Sequence, residues 1–190
     1  SDLPAPELSI AFARMVAPYH PLFLEEPCKV GSVEVLKEIS EKSPVPIATG
    51  EKLFTVHDFQ PLIDARACAF LQPDIAHCFG LSTYMEIARR ARDAQMLMAP
   101  HLGGGAVVFG ALLNAAAAVE NFLIQEMNDA WFKAFGRYVD HDWTIKEGYI
   151  NVTDRPGLGV DVKEADIEKL PYEPMAYRQY RHQDGSWKGW

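Results

Sequence analysis

The sequence predicts an α/β fold, a series of βα units around a parallel sheet of the barrel kind. Three observations carry this. Short apolar runs alternate with amphipathic segments of helical length, the pattern of parallel strands joined by crossover helices. A polar residue follows each apolar run at a near-constant interval. And no glycine fingerprint follows the first run, as an open nucleotide-binding sheet would usually show.

Taken in order, a helical stretch at residues 7–16 comes first. The apolar runs follow: PLFL (21–24), VPIA (45–48), CAFLQ (68–72), MLMA (96–99) and NFLI (121–124). Each is short and bounded by turn signals, as a buried parallel strand should be. Between them, Val33, Val35, Leu36 and Ile39 mark one helix, with Lys37, Glu38, Glu41 and Lys42 on its polar face. Phe59, Leu62 and Ile63 mark a second, and Tyr84, Met85, Ile87, Ala88 and Ala91 a third. Residues 107–119 are apolar nearly all round, which predicts a well-buried helix. GlyGlyGly at 103–105 reads as a flexible loop, or as backbone amides offered to an anion at a helix start. Beyond residue 126 the pattern changes: WTIKEGYINV predicts a small hairpin, DRPGLGV a loop, and the last stretch, rich in Tyr, Arg and Trp, irregular structure. We therefore divide the chain at 126, with barrel units in 1–126 and a C-terminal extension in 127–190 that packs on the barrel or a second domain.

A net charge of −8, with no concentration of basic residues, argues against nucleic acid or an anionic membrane as partner. Arg89, Arg90 and Arg92 read as a solvated helix face. Cys28, Cys68 and Cys78 are odd in number and lack CxxC spacing, so neither a disulfide framework nor a zinc knuckle is expected, and a reducing, cytoplasmic location is. No apolar run has the length to span a membrane.

The polar residues after the strands are Glu25, Glu51, Asp74, His101 and Glu126, spaced by 26, 23, 27 and 25 residues. A barrel unit takes roughly 30 residues, and the C-terminal ends of barrel strands form the active-site face. A single Glu there often only complements a helix N-terminus, and a lone His is often structural; five in register read as a site. Crowded carboxylates require a cation or raised pKa values. Glu25 and Glu51, on neighbouring strands, suit Mg²⁺, with Mn²⁺ as the alternative. Asp74 beside His101 would fix the imidazole tautomer for general acid/base work. Glu126, if its pKa is raised so that it keeps its proton, could donate a hydrogen bond to a developing enolate oxygen. His77 can line the same pocket, whereas His20, His57, His141 and His182 fall off the register. Glu26 should point away from Glu25, since strand side chains alternate, but spacing alone leaves open which of the two is the ligand.

The motifs FLEEPC (23–28), IATGE (47–51), LQPDIAH (71–77), APH (99–101) and IQE (124–126), with RPGLGV (155–160) and YRHQDGSW (180–187), resemble the enolase superfamily. Within it the chain looks like the mandelate racemase group, and most like acid-sugar dehydratases of the galactonate type. The resemblance implies the C-terminal part of a (β/α)7β TIM-like barrel, with about five strands, lacking the early strands and the N-terminal capping domain. It implies Glu25 and Glu51 as Mg²⁺ ligands, His101 oriented by Asp74 as acid/base catalyst, and Glu126 on the substrate. It also implies a small-molecule sugar acid as substrate, an enediolate intermediate and a 2-keto-3-deoxy acid product. A racemase or cycloisomerase would share the proton abstraction. The loops after His77 (CysPheGly) and His101 (LGGGAVVFG) depart from galactonate dehydratases, leaving the specific acid open. Because a closed barrel takes about 250 residues, this chain is expected to lack the third metal carboxylate and the residue opposite His101. The other class of reading is a non-catalytic half-barrel whose open edge needs the N-terminal half or a second copy.

Overall fold

The computed structural model describes residues 5–29, 31–172, 174, 181 and 183–185. Helix α1 (Pro6–Val16) and a short 3-10 turn lead into four βα units: β1 (Leu24–Glu25), α2 (Val33–Lys42), β2 (Ile47–Thr49), α3 (Val56–Ala65), β3 (Phe70–Leu71), α4 (Leu81–Asp93), β4 (Leu97–Met98) and α5 (Ala106–Ala118). The strands form one parallel sheet in sequence order, β1-β2-β3-β4. Its register aligns Glu25 with Ala48, Ala48 with Phe70, and Phe70 with Leu97. The four strands and their covering helices are one part of a β/α barrel.

The strands are shorter than the apolar runs, and a proline bounds three of them on the C-terminal side. Pro27, Pro73 and Pro100 each stand two residues past the end of β1, β3 and β4. A proline has no N–H to donate to the ladder, so pairing stops there. The run at 121–124 extends the sheet by a single parallel bridge, Met98 to Phe122. There the Asn121 side chain donates to Ala88 O and Met96 O at 3.1 and 2.9 Å.

Helix starts follow from their caps. Ser32 accepts from Val35 N–H at the start of α2, and Thr55 and Asp58 form a reciprocal capping box on α3. Each helix turns an apolar stripe to the sheet: Leu36 and Ile39 from α2, Phe59, Leu62 and Ile63 from α3, Tyr84, Ile87, Ala88 and Ala91 from α4. Neighbouring helices pack in order, α1 on α2 through α4 on α5. The arginines of α4 lie outside, paired with Glu86, Asp93 and Glu120. Helix α5 buries Phe109, Leu112 and Leu113 as expected, yet Val107 is exposed beside an apolar groove shared with Trp131 and Phe135.

Beyond Glu126, α6 (Asp129–Phe135) is capped by Asn128, which accepts from Ala130 and Trp131 N–H. β5 (Val139–His141) pairs antiparallel with β8 (Val160–Val162), and β6 (Ile145–Lys146) with β7 (Tyr149–Ile150), the hairpin the sequence predicts, turning at Glu147 and Gly148. A short α7 (Glu164–Ile167) comes last. Phe109 carries this segment: its ring meets Trp143 edge-on at 5.1 Å and Phe135 at 5.7 Å. His182 and half of the YRHQDGSW motif lie outside the described residues.

Candidate active site

The parallel register brings the C-terminal strand ends together, and with them most of the polar series. Asp74 is the organising group. Its side chain is 0% exposed, and its Oδ2 takes His101 Nδ1–H at 2.8 Å and Gly103 N–H at 2.7 Å. Its Oδ1 takes Ala76 N–H at 2.8 Å, with His77 N–H at 3.4 Å. Burial alone would push this carboxyl up; the hydrogen bonds from His101, Gly103 and Ala76, with His77 nearby, outweigh it and hold the pKa at about 2. The same hydrogen bond to Asp74 pushes the His101 pKa up, against burial and with help from the charges of Glu126 and Glu51. With Nδ1 committed to Asp74, Nε2 is the nitrogen that faces the pocket.

Around that nitrogen, Glu51 Oε2 lies at 3.5 Å and Glu126 Oε2 at 3.9 Å. Glu126 is fixed through Leu102 N–H at 3.0 Å. His77 stands with its ring 6.2 Å from that of His101, and its Nδ1 is 3.1 Å from Glu51 O. Glu25 is exposed at the end of β1, held by a different contact: Gln72 Nε2 donates to its Oε1 at 2.6 Å. Glu51, Asp74, His77, His101 and Glu126 thus form one cluster, while Glu25, on the next strand, is bonded to Gln72. Glu26 does point elsewhere, buried against the end of β2. Cys78 is buried beside Asp74, and desolvation with that charge pushes its thiol up to about 11, so it stays protonated.

Reading the sequence missed Gln72 and misjudged Gly103. The glycine run is not loose: a Cβ on Gly103 would lie 2.9 Å from both Asp74 Oδ2 and His101 Cε1. Its amide does meet an anion, the side chain of Asp74 rather than a ligand. Alternation along 70, 72 and 74 would have placed Gln72 on the Glu25 face.

A divalent cation requires hard oxygen donors, and Glu25 and Glu51 offer them. Among the described residues, no three His, Cys, Asp or Glu side chains are grouped so as to hold a metal ion. The donor chemistry of these two carboxylates fits Mg²⁺ or Mn²⁺, which take few protein ligands and keep several waters.

The parallel β/α sheet thus gathers carboxylates around an Asp–His dyad at its strand ends. The chain belongs to the enolase C-terminal domain-like family, which matches residues 5–166. It is 32% identical over 181 residues to a D-galactonate dehydratase of Ralstonia pickettii, covering 91% of this chain and 47% of that protein. With the D-galactonate dehydratase of Ralstonia nicotianae the identity is 31% over 185 residues, 93% of this chain and 48% of that protein. Among solved structures, one from Burkholderia SAR-1 named for the mandelate racemase/muconate lactonizing enzymes superposes with a TM-score of 0.85 at 32% identity, over 90% of this chain and 43% of that one. An Agrobacterium radiobacter enolase, named as a candidate galactarate dehydratase and bound to Na and L-malate, gives 0.84 at 29% identity, over 96% and 50%. The chain spans about half the length of the curated relatives it matches. Among the described residues no helix is long and apolar enough to cross a membrane.

Proposed function

We propose that the protein acts as a Mg²⁺-dependent acid-sugar dehydratase, converting an aldonate or aldarate of the galactonate or gluconate kind to a 2-keto-3-deoxy acid. The observation that carries this is the Asp74–His101 dyad, its Nε2 turned toward Glu51 and Glu126, in a chain similar to D-galactonate dehydratases. In the reaction the proton α to the carboxylate and the β-hydroxyl leave as water, and the enol that remains tautomerises to the ketone. His101 Nε2 moves a proton, taking it from the α-carbon or giving it to the departing hydroxyl. Asp74 keeps the tautomer that leaves Nε2 available. Glu126, held by Leu102 N–H, hydrogen-bonds the substrate, and His77 lines its binding pocket. Glu25 and Glu51 would hold Mg²⁺, or Mn²⁺, which when bound supplies positive charge beside the substrate carboxylate and acidifies the neighbouring C–H.

A second reading, a racemase or cycloisomerase, draws support from the likeness to the Burkholderia structure. It uses the same proton abstraction and differs in the fate of the deprotonated substrate. In either case the outer edge of β1 calls for a cover, which we assign to an N-terminal half or a second copy. Failing that cover, the chain is a non-catalytic half-barrel. The test is Mg²⁺-dependent formation of 2-keto-3-deoxy acids from a panel of aldonates and aldarates, with solution mass measured alongside. His101→Ala should cut turnover by a factor on the order of 10²–10⁴. Exchange of the α-proton into D₂O without keto-acid formation would favour the racemase reading. Neither reaction from a folded chain would refute catalysis by these 190 residues alone.

A further inference from the structure

We propose that Glu26 is a positioning residue for Glu51: its buried carboxylate pins the turn ending β2 and holds the Lys52 ammonium off the carboxylate that would take the cation. The inference rests on the reading of Glu51 as a cation ligand.

Glu25 and Glu26 are neighbours with opposite fates. Glu26 takes a left-handed backbone conformation, φ 45°, uncommon for a residue with a side chain and a mark of local demand. This turn carries its carboxylate under the end of β2, where the residue is 4% exposed. There Oε1 accepts from Thr49 Oγ1 at 2.5 Å and from Gly50 N–H at 3.1 Å. Glu26 N–H in turn donates to Ala48 O at 3.0 Å. Three consecutive residues, Ala48, Thr49 and Gly50, are thereby tied to one glutamate immediately before Glu51. The turn has no slack on its other side. Gly50 sits at φ 138°, and a Cβ there would lie 2.8 Å from Phe59 Cε1 and 3.0 Å from Gln72 N. The backbone that presents Glu51 is therefore clamped between Glu26 and the Phe59–Gln72 wall.

Pinning a turn needs only a hydrogen-bond acceptor, and a neutral amide would serve. A buried charge is costly without an opposite one, and here the opposite one is Lys52. Its Nζ lies 3.3 Å from Glu26 Oε2 and 3.7 Å from Glu51 Oε1. Lys52 is thus shared by two carboxylates and sits nearer the buried one. Without the charge on Glu26, the ammonium's remaining partner is Glu51, and a cation would have to displace it.

The test is a double-mutant cycle on the 190-residue chain, with Mn²⁺ as the probe and water-proton relaxation as the readout, which reaches millimolar affinities. The proteins are the wild type, Glu26→Gln, Lys52→Met, the double variant, and Glu51→Gln; thermal melts track folding. Glu26→Gln should weaken Mn²⁺ binding at least fivefold when Lys52 is present and less than twofold when residue 52 is Met. An equal loss in both backgrounds would mean that Glu26 acts through general charge or fold, and would overturn the proposal while leaving Glu51 as a ligand. Unchanged affinity in Glu51→Gln, or no binding by the wild type, would overturn the cation reading itself and this inference with it. Should Glu26→Gln fail to fold, Glu26→Asp replaces it: its carboxylate stops one methylene short of the position now 3.3 Å from Lys52, so a smaller loss of Mn²⁺ affinity is expected, which likewise disappears when residue 52 is Met.

Discussion

Replacing Asp74 by Asn changes hardly any volume and removes a single charge, which makes it an incisive perturbation of the site. The carboxylate accepts from His101 Nδ1, Gly103 N, Ala76 N and His77 N; an amide has one oxygen for these four. If that oxygen stays with Ala76 and His77, the NH₂ faces Gly103 N–H and His101 Nδ1. Gly103 N–H is then unsatisfied, and His101 must move its proton to Nε2 so that Nδ1 can accept. The folded pKa of Asp74, about 2 against an ordinary 3.8, corresponds to about 2 kcal/mol of stability. An unsatisfied buried amide adds roughly 1–3 kcal/mol to the loss. The direction of the shift sets the sign. A depressed carboxyl pKa gives stability that is fully present above the unfolded value, and it is lost as pH falls through about 2. Urea denaturation at a series of pH values should therefore show a deficit of about 3–5 kcal/mol for the variant at pH 7, shrinking below about pH 4 as the wild type loses its own advantage. Nitrogen-15 NMR should show the neutral His101 proton on Nδ1 in the wild type and on Nε2 in the variant. A deficit that stays constant down to pH 3, or an unchanged tautomer, would refute the account of Asp74 as an ionised, tautomer-fixing partner.

Two other substitutions separate the site from the scaffold. Gly103→Ala places a methyl 2.9 Å from Asp74 Oδ2 and His101 Cε1; it should cost about 1–3 kcal/mol in chemical denaturation and shift the His101 ring resonances. Phe109→Ala empties the centre of the aromatic cluster with Trp143 and Phe135. It should cost about 3–5 kcal/mol and leave the His101 tautomer as it was.

The sequence was most legible where one residue type had to recur at one place in each unit. Glu51, Asp74, His101 and Glu126 could be named because strand ends repeat every two dozen residues or so, and the parallel register then brings them together. The helices were legible from their stripes, such as Leu36 with Ile39 and Tyr84 with Ile87. Strand extents were less so: the apolar run 68–72 narrows to Phe70–Leu71, losing two residues ahead of the strand and, before Pro73, Gln72. What stayed hidden are contacts made only by folding. Gln72 reaches Glu25 across 47 residues and Gly103 reaches Asp74 across 29, with no local pattern to announce either. A glycine run looks alike whether it is free or pressed against a carboxylate. The β5–β8 pair, joining Val139 to Val162, likewise depends on the chain returning from a distant loop.

One carboxylate, finally, belongs to two loops at once. Asp74 Oδ1 closes the turn at Ala76, and its Oδ2 anchors Gly103 ahead of α5. The two segments share one anchor, and a movement of the Asp74 side chain would disturb both. His101 Nδ1 bonds to the same Oδ2 that anchors Gly103 N–H, so the ring and the glycine loop share one partner. A displacement of either loop that moves the Asp74 carboxylate would reach the imidazole directly, through the Asp74 Oδ2–His101 Nδ1 bond.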